Sequence, residues 1–164
     1  MQNDTFKKWI YFAEQDLNFA KSGLRDKFFS HVCFLSQQTA EKSCKAFLIY
    51  NNLSYPKTHK IVEIVNSDKK LLDLLKKFID EIKLLDAFYI PTRYPDGIPG
   101  SLPEGLPDEK DAESSLTIAE KIFNLIEKEI SAKKMEIIGM VDSDDPHLAD
   151  KVEKYLKDSG FGED

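Results

Sequence analysis

The stretch 27-KFFSHVCFLSQQTAEKSCKAFLIYNN-52 decides the fold. Cys33, Gln37, Ala40, Cys44 and Phe47 recur at spacings of four and three, the period that gathers residues onto one face of an α-helix. Val32, Leu35, Leu48 and Ile49 lie beside that stripe. The stripe is rich in small residues, so a neighbouring helix can approach closely. Apolar character extends nearly all round the first and last turns, which predicts the most buried helix of the set. "NNLSYPK" then breaks it.

The same period recurs on either side. In "DTFKKWIYFAEQDLNFAKSGL", Phe6, Trp9 or Ile10, Ala13, Leu17, Ala20 and Leu24 form one face, with Asp4 or Thr5 as cap and Ser22-Gly23 as stop. Downstream, Thr58 reads as the N-cap of a short helix, "HKIVEIV", and Ser67 or Asp68 starts the next. There, Leu71, Leu75, Phe78, Ile82, Leu85 and Tyr89 predict one continuous helix with an a/d seam. A proline- and glycine-rich loop spans Pro91 to Pro107, a length that in compact domains usually belongs to function. A last helix begins at Asp108 or Asp111, with Ala112, Leu116, Ala119, Phe123, Ile126 and Ile130 as its seam. Few strand signals accompany these helices. The expected fold is all-α: an antiparallel up-and-down bundle of four to five helices with a C-terminal extra helix.

Composition narrows the functional classes. At 41% hydrophobic and 32% charged, with no apolar run near the ~18 residues of a membrane span, the chain reads as soluble. The N-terminus lacks a signal-type apolar segment, so a cytoplasmic location is expected, with no membrane partner. Cys33 and Cys44 lie three helical turns apart, too far to bridge, and read as small buried residues. His31, His59 and His147 fall in different segments without metal-ligand spacing, so neither a metal nor another cofactor is expected.

The net charge of −6 resides wholly in residues 135–164, where nine acids face three lysines. Residues 1–134 balance at 20 acids and 20 bases and lack a bulk basic footprint for nucleic acid. This division suggests a helical bundle over 1–134 and an acidic extension over 135–164. Within the extension, "MEIIGMVDSDD" fits a prolonged helix, a short strand or irregular chain alike. "DPHLADKVEKYLKDSG" reads as a helix with Asp145 as N-cap, Pro146 at its first position and Gly160 as stop.

Five segments are informative together: "W…A…DL" near the start, "SQQTAEKSCKAFL", "YPKTHKIVEIV", "FYIPTRYPDG" and "DAESSLTIAEKI". Their order and spacing resemble the HEPN domain (higher eukaryotes and prokaryotes nucleotide-binding) over about residues 5–130. The resemblance implies a bundle of four or five helices that pairs into homodimers. It also implies association with a small separate nucleotidyltransferase in a toxin–antitoxin-like pair. Other members of the family are metal-independent RNases, marked by an Arg, four to six spacer residues and a His.

That RNase motif is missing at the expected place. After Arg93 the required offsets hold Ile98, Pro99 and Gly100. A formal match, Arg25 and His31 in "RDKFFSH", spans the turn between the first two helices and reads more simply as a surface Arg and a helix-start His. The remaining candidates form a polar set suited to nucleotide or phosphate. Gln38, Lys42 and Lys45 share a face of the second helix, and Lys57 and His59 flank a predicted helix start. Arg93 offers a planar fork and Tyr94 a ring, bracketed by Pro91 and Pro95, with Asp96 in the following turn. The structural alternative is that the lysines pair with Glu41 or other nearby acids, and that Arg93 ties the loop to Asp16 or Glu41. The expectation is therefore a non-catalytic, dimeric HEPN protein paired with a small nucleotidyltransferase, with nucleotide or RNA as candidate ligand. The alternatives are a metal-independent HEPN RNase and a purely structural oligomerisation module.

Overall fold

A computed structural model of the chain describes residues 3–90, 92 and 106–139, the side chains of 3, 4 and 133–139 excepted. The described residues fold as α1 (Asn3–Arg25), α2 (Phe29–Tyr50), α3 (Ile61–Asn66), α4 (Lys69–Leu75), α5 (Ile79–Phe88) and α6 (Glu109–Gly139), and include no strand. The all-α expectation holds.

α2 is the centre. It packs chiefly against α1 and α6, and also touches α3, α4 and α5. Its expected stripe is buried throughout, with Cys33, Gln37, Ala40 and Cys44 fully enclosed. Small side chains bring the neighbouring backbone close enough for the Thr39 hydroxyl to lie 3.4 Å from the Ala13 carbonyl on α1. The α1 face delivers Phe6, Ala13, Leu17 and Ala20 to the core, and the α6 seam from Ala112 to Ile130 is buried at all six expected positions. At ~25 cal/mol per Å² of apolar surface removed from water, these interlocking faces are the main favourable contribution to folding.

Two helix starts follow the sequence. Asp68 accepts a hydrogen bond from Leu71 N at 2.9 Å. At α6, Asp108 Oδ1 accepts from Asp111 N (2.9 Å) while Asp111 Oδ2 accepts from Asp108 N (3.0 Å), a reciprocal box that satisfies two otherwise orphaned donors.

Other boundaries differ. α1 is already helical at Asn3, ahead of Asp4 and Thr5, and runs past Gly23 to Arg25. The turn is made instead by Lys27, in the left-handed region at φ 65°. Gly23 is buried in the helix, where an added Cβ would stand 3.3 Å from Val32 Cγ2; its smallness serves the close approach of α2.

The long helix expected over residues 69–89 is divided by a 3-10 turn at Lys76–Phe78. Its sequence is apolar on more than one face. The change of winding lets Leu72, Leu74, Phe78 and Ile79 join Leu71, Leu75, Ile82 and Leu85 against the core. α6 continues through residue 134 to Gly139, so the first part of "MEIIGMVDSDD" prolongs the last helix. The helix expected within 145–160 lies outside the described residues.

Candidate ligand-binding site

Glu41 is a carboxylate in the middle of the most buried helix, and its side chain is only 4% exposed. A charge there is tolerated only with partners. Lys45, one turn on, donates to Glu41 Oε1 at 2.8 Å and is itself 7% exposed. The Lys45 ammonium lies over two aromatic rings, 5.5 Å from the Trp9 centroid and 5.3 Å from that of Tyr55, which adds cation–π attraction to the ion pair. Gln37 and Gln38 complete the cluster. Gln37 Nε2 is 3.2 Å from Glu41 Oε2 and donates to the His59 carbonyl at 2.8 Å, and Gln38 Nε2 donates to Gln37 Oε1 at 2.6 Å.

His59 closes the network from the segment before α3. Its Nδ1 stands 3.2 Å from Glu41 Oε1, and its ring stacks on Tyr89 with centroids 5.0 Å apart and planes 16° apart. The His59 side chain is nonetheless 60% exposed. Tyr89 is the C-cap of α5, and three residues on the Thr92 N–H and hydroxyl both donate to the Phe88 carbonyl.

Thr58 does not cap α3. The N-cap position is Lys60, with extended backbone and no side-chain cap bond. Thr58 Oγ1 instead accepts from Lys60 N at 3.1 Å. Asp86, on α5, takes the capping role: its two oxygens accept from Ile61 N (2.8 Å) and Val62 N (3.0 Å). The helix-start donors beside Lys57 and His59 are therefore engaged by the protein's own carboxylate. Burial pushes the Asp86 carboxyl above its ordinary range despite the two backbone bonds, and the neighbouring Glu41 charge pushes the same way.

Of the sequence-derived set, Gln38, Lys45 and His59 meet at Glu41. Lys42 does not join them; it pairs with Asp16 on α1. Lys57 is exposed. Arg93, Tyr94 and Asp96 lie outside the described residues. Arg25 donates to Ser22 Oγ at 2.9 Å on the surface, and His31 is exposed beside the Phe28 ring, as expected of a surface Arg and a helix-start His. Sequence reasoning offered Glu41 as a partner for the lysines, and Lys45 takes it, but did not foresee Glu41 as the hub that also gathers Gln37, Gln38 and His59, nor the supporting rings of Trp9, Tyr55 and Tyr89. The available signal was Glu41 itself, an acid flanked at four residues by Gln37 and Lys45 within an otherwise small and apolar helix. Among the described residues, no cluster of three His, Cys, Asp or Glu could hold a metal ion, and no helix is long and apolar enough to cross a membrane.

Together the described residues form an α2-centred helical domain with a polar network at the junction of α2, α5 and the segment before α3. Residues 6–130 match the HEPN domain, and the chain belongs to that family. It is 31% identical over 139 residues to a protein of Methanocaldococcus jannaschii named "Putative toxin MJ1304", covering 77% of this chain and 89% of the relative. Among solved structures it is similar to TT1696 from Thermus thermophilus, with TM-score 0.65 and 28% identity over 75% of this chain and 96% of that one. It is similar also to ST0689, an archaeal HEPN homologue, with TM-score 0.60 and 30% identity over 76% of this chain and 97% of that one.

Proposed function

We propose that this HEPN protein acts by holding rather than cutting. In this reading it is a homodimer that pairs with a small nucleotidyltransferase in a toxin–antitoxin-like system. It binds a nucleotide or RNA at the Glu41-centred cluster, with Arg93 and Tyr94 completing the grip. The observation that carries the ligand reading is the exposed His59 ring. Buried Glu41 fixes it from behind, Tyr89 supports it on one face, and the sequence reaches Arg93 four residues after Tyr89.

The name of the M. jannaschii relative supports the toxin-like part of the reading. Exposed Tyr11, Phe12 and Phe19 leave aromatic surface on α1, which supports self-association. The holding role is supported by the residues after Arg93, which include no histidine at the RNase spacing, and by the engagement of Arg25 with Ser22.

Titration calorimetry with ATP tests the ligand reading: binding is expected, and Arg93→Ala weakens it. Metal-independent RNA cleavage that is lost in both Arg25→Ala and His31→Ala would overturn the non-catalytic role. Light scattering at tens of micromolar, where a monomer would contradict the dimer, and identification of the protein that co-purifies from the native host test the assembly.

A further inference from the structure

Resting on the ligand-binding reading above, we propose that the group recognised at this site is a phosphate oxyanion, met by Nε2 of His59, with Glu41 as the positioning residue behind it. The other side chains of the cluster are already committed. Lys45 is buried on Glu41 between two rings, Lys42 is paired with Asp16, and both glutamine amides point into the network. His59 differs. Nδ1 faces Glu41 and Tyr89 covers one face, so the ring presents its Nε2 edge, which has no partner among the described residues.

A carboxylate at Nδ1 selects the tautomer that carries its proton there. Nε2 is then a lone pair in the neutral ring and an N–H donor once the ring is protonated. An N–H donor on a cation is suited to an oxyanion, and the bond it makes is of the charge-assisted kind. Exposed Lys57, two residues earlier, places a second cation on the same segment. The charged and titratable groups around the ring are Glu41 and Lys45 from α2, Tyr89 from α5, and Lys57 and Lys60 on its own segment. Asp86 of α5 is turned to Ile61 and Val62, and Lys60 lies 3.5 Å from Glu63.

The test is a titration of the full chain, with ring nitrogens labelled, using ADP, inorganic phosphate and adenosine as probes. ADP and phosphate are expected to move the His59 Nε2 resonance, and adenosine is not. His59→Ala is expected to weaken ADP binding roughly tenfold or more, the scale of one lost charge-assisted hydrogen bond. His59→Gln, which keeps a neutral donor, is expected to retain part of the affinity. Glu41→Gln is expected to shift the His59 tautomer toward Nε2–H, a spectroscopic change that a purely structural role would not produce. ADP binding equally to wild type and His59→Ala overturns this inference and leaves the nucleotide reading standing. No binding of ADP or phosphate to the wild type overturns both.

Discussion

Asp86 and Ile61 are 25 residues apart in sequence, yet an Asp86 carboxylate oxygen accepts the Ile61 backbone N–H at 2.8 Å. A side chain of α5 thus caps α3. Removing it in Asp86→Ala orphans two donors and is expected to cost about 1–2 kcal/mol, read by urea denaturation.

The same residue predicts a pH dependence. Its folded-state pKa is raised, chiefly by burial, so on acidification the folded state takes up this proton before the unfolded chain does. The Asp86 contribution to stability therefore grows as pH falls through the folded pKa and is complete below the unfolded value. Wild type should gain stability relative to Asp86→Asn on acidification. Denaturation of both proteins at about pH 7 and about pH 3, above and below the ordinary carboxyl values, measures that difference.

Glu41 and Lys45 form a buried pair, so losing one partner strands the other. Lys45→Met leaves a buried carboxylate short of its main cation and is expected to cost about 3–5 kcal/mol. The double variant with Glu41→Leu should recover much of that loss. A double variant no more stable than Lys45→Met alone would mean that Gln37, Gln38 and His59 had been stabilising the carboxylate without the lysine.

Both thiols should be silent in the native protein. Cys33 and Cys44 are buried and free, and burial pushes the Cys33 thiol up to about 11 and the Cys44 thiol higher still. The thiolate is the reactive form, so a colourimetric thiol reagent at neutral pH should count no groups until denaturant is added, and then two. Because these pKa values are raised, the thiol contribution to stability is present at neutral pH. It is lost as pH rises above the unfolded thiol value.

The close contact of α1 with α2 depends on small side chains. Ala13 is fully buried with its carbonyl near Thr39, so Ala13→Leu has no space to fill. About 1–3 kcal/mol of destabilisation is expected from overpacking, read as a lower denaturant midpoint.

What the sequence revealed follows from the range of the forces involved. The α1, α2 and α6 faces were legible because a helix repeats its buried side every three or four residues, and all six expected α6 seam positions are buried. The helix starts at Ser67 or Asp68 and at Asp108 or Asp111 were legible because caps act within three residues, though the reciprocal bonding of Asp108 with Asp111 was not foreseen. Asp86 was not legible, since its role depends on a contact that only the tertiary fold creates. The 3-10 break at Lys76–Phe78 carries no mark in the sequence, because the heptad pattern runs through it without a proline or glycine. At the candidate site, the local pairing of Lys45 with Glu41, four residues apart, was readable, but the long-range allegiance was not: spacing placed Lys42 beside Lys45, and α1 then drew Lys42 to Asp16.

The Asp86 cap also redraws the units in which the protein opens. α3 has six residues, too short to persist alone in water, and its first two amides are held from α5. In free-energy terms α3 belongs with a helix that follows it in the chain, and the two should open as one cooperative element. Hydrogen exchange would read this directly: the Ile61 and Val62 amides should share the protection of the α5 interior, and Asp86→Ala should release them while leaving the α5 amides slow.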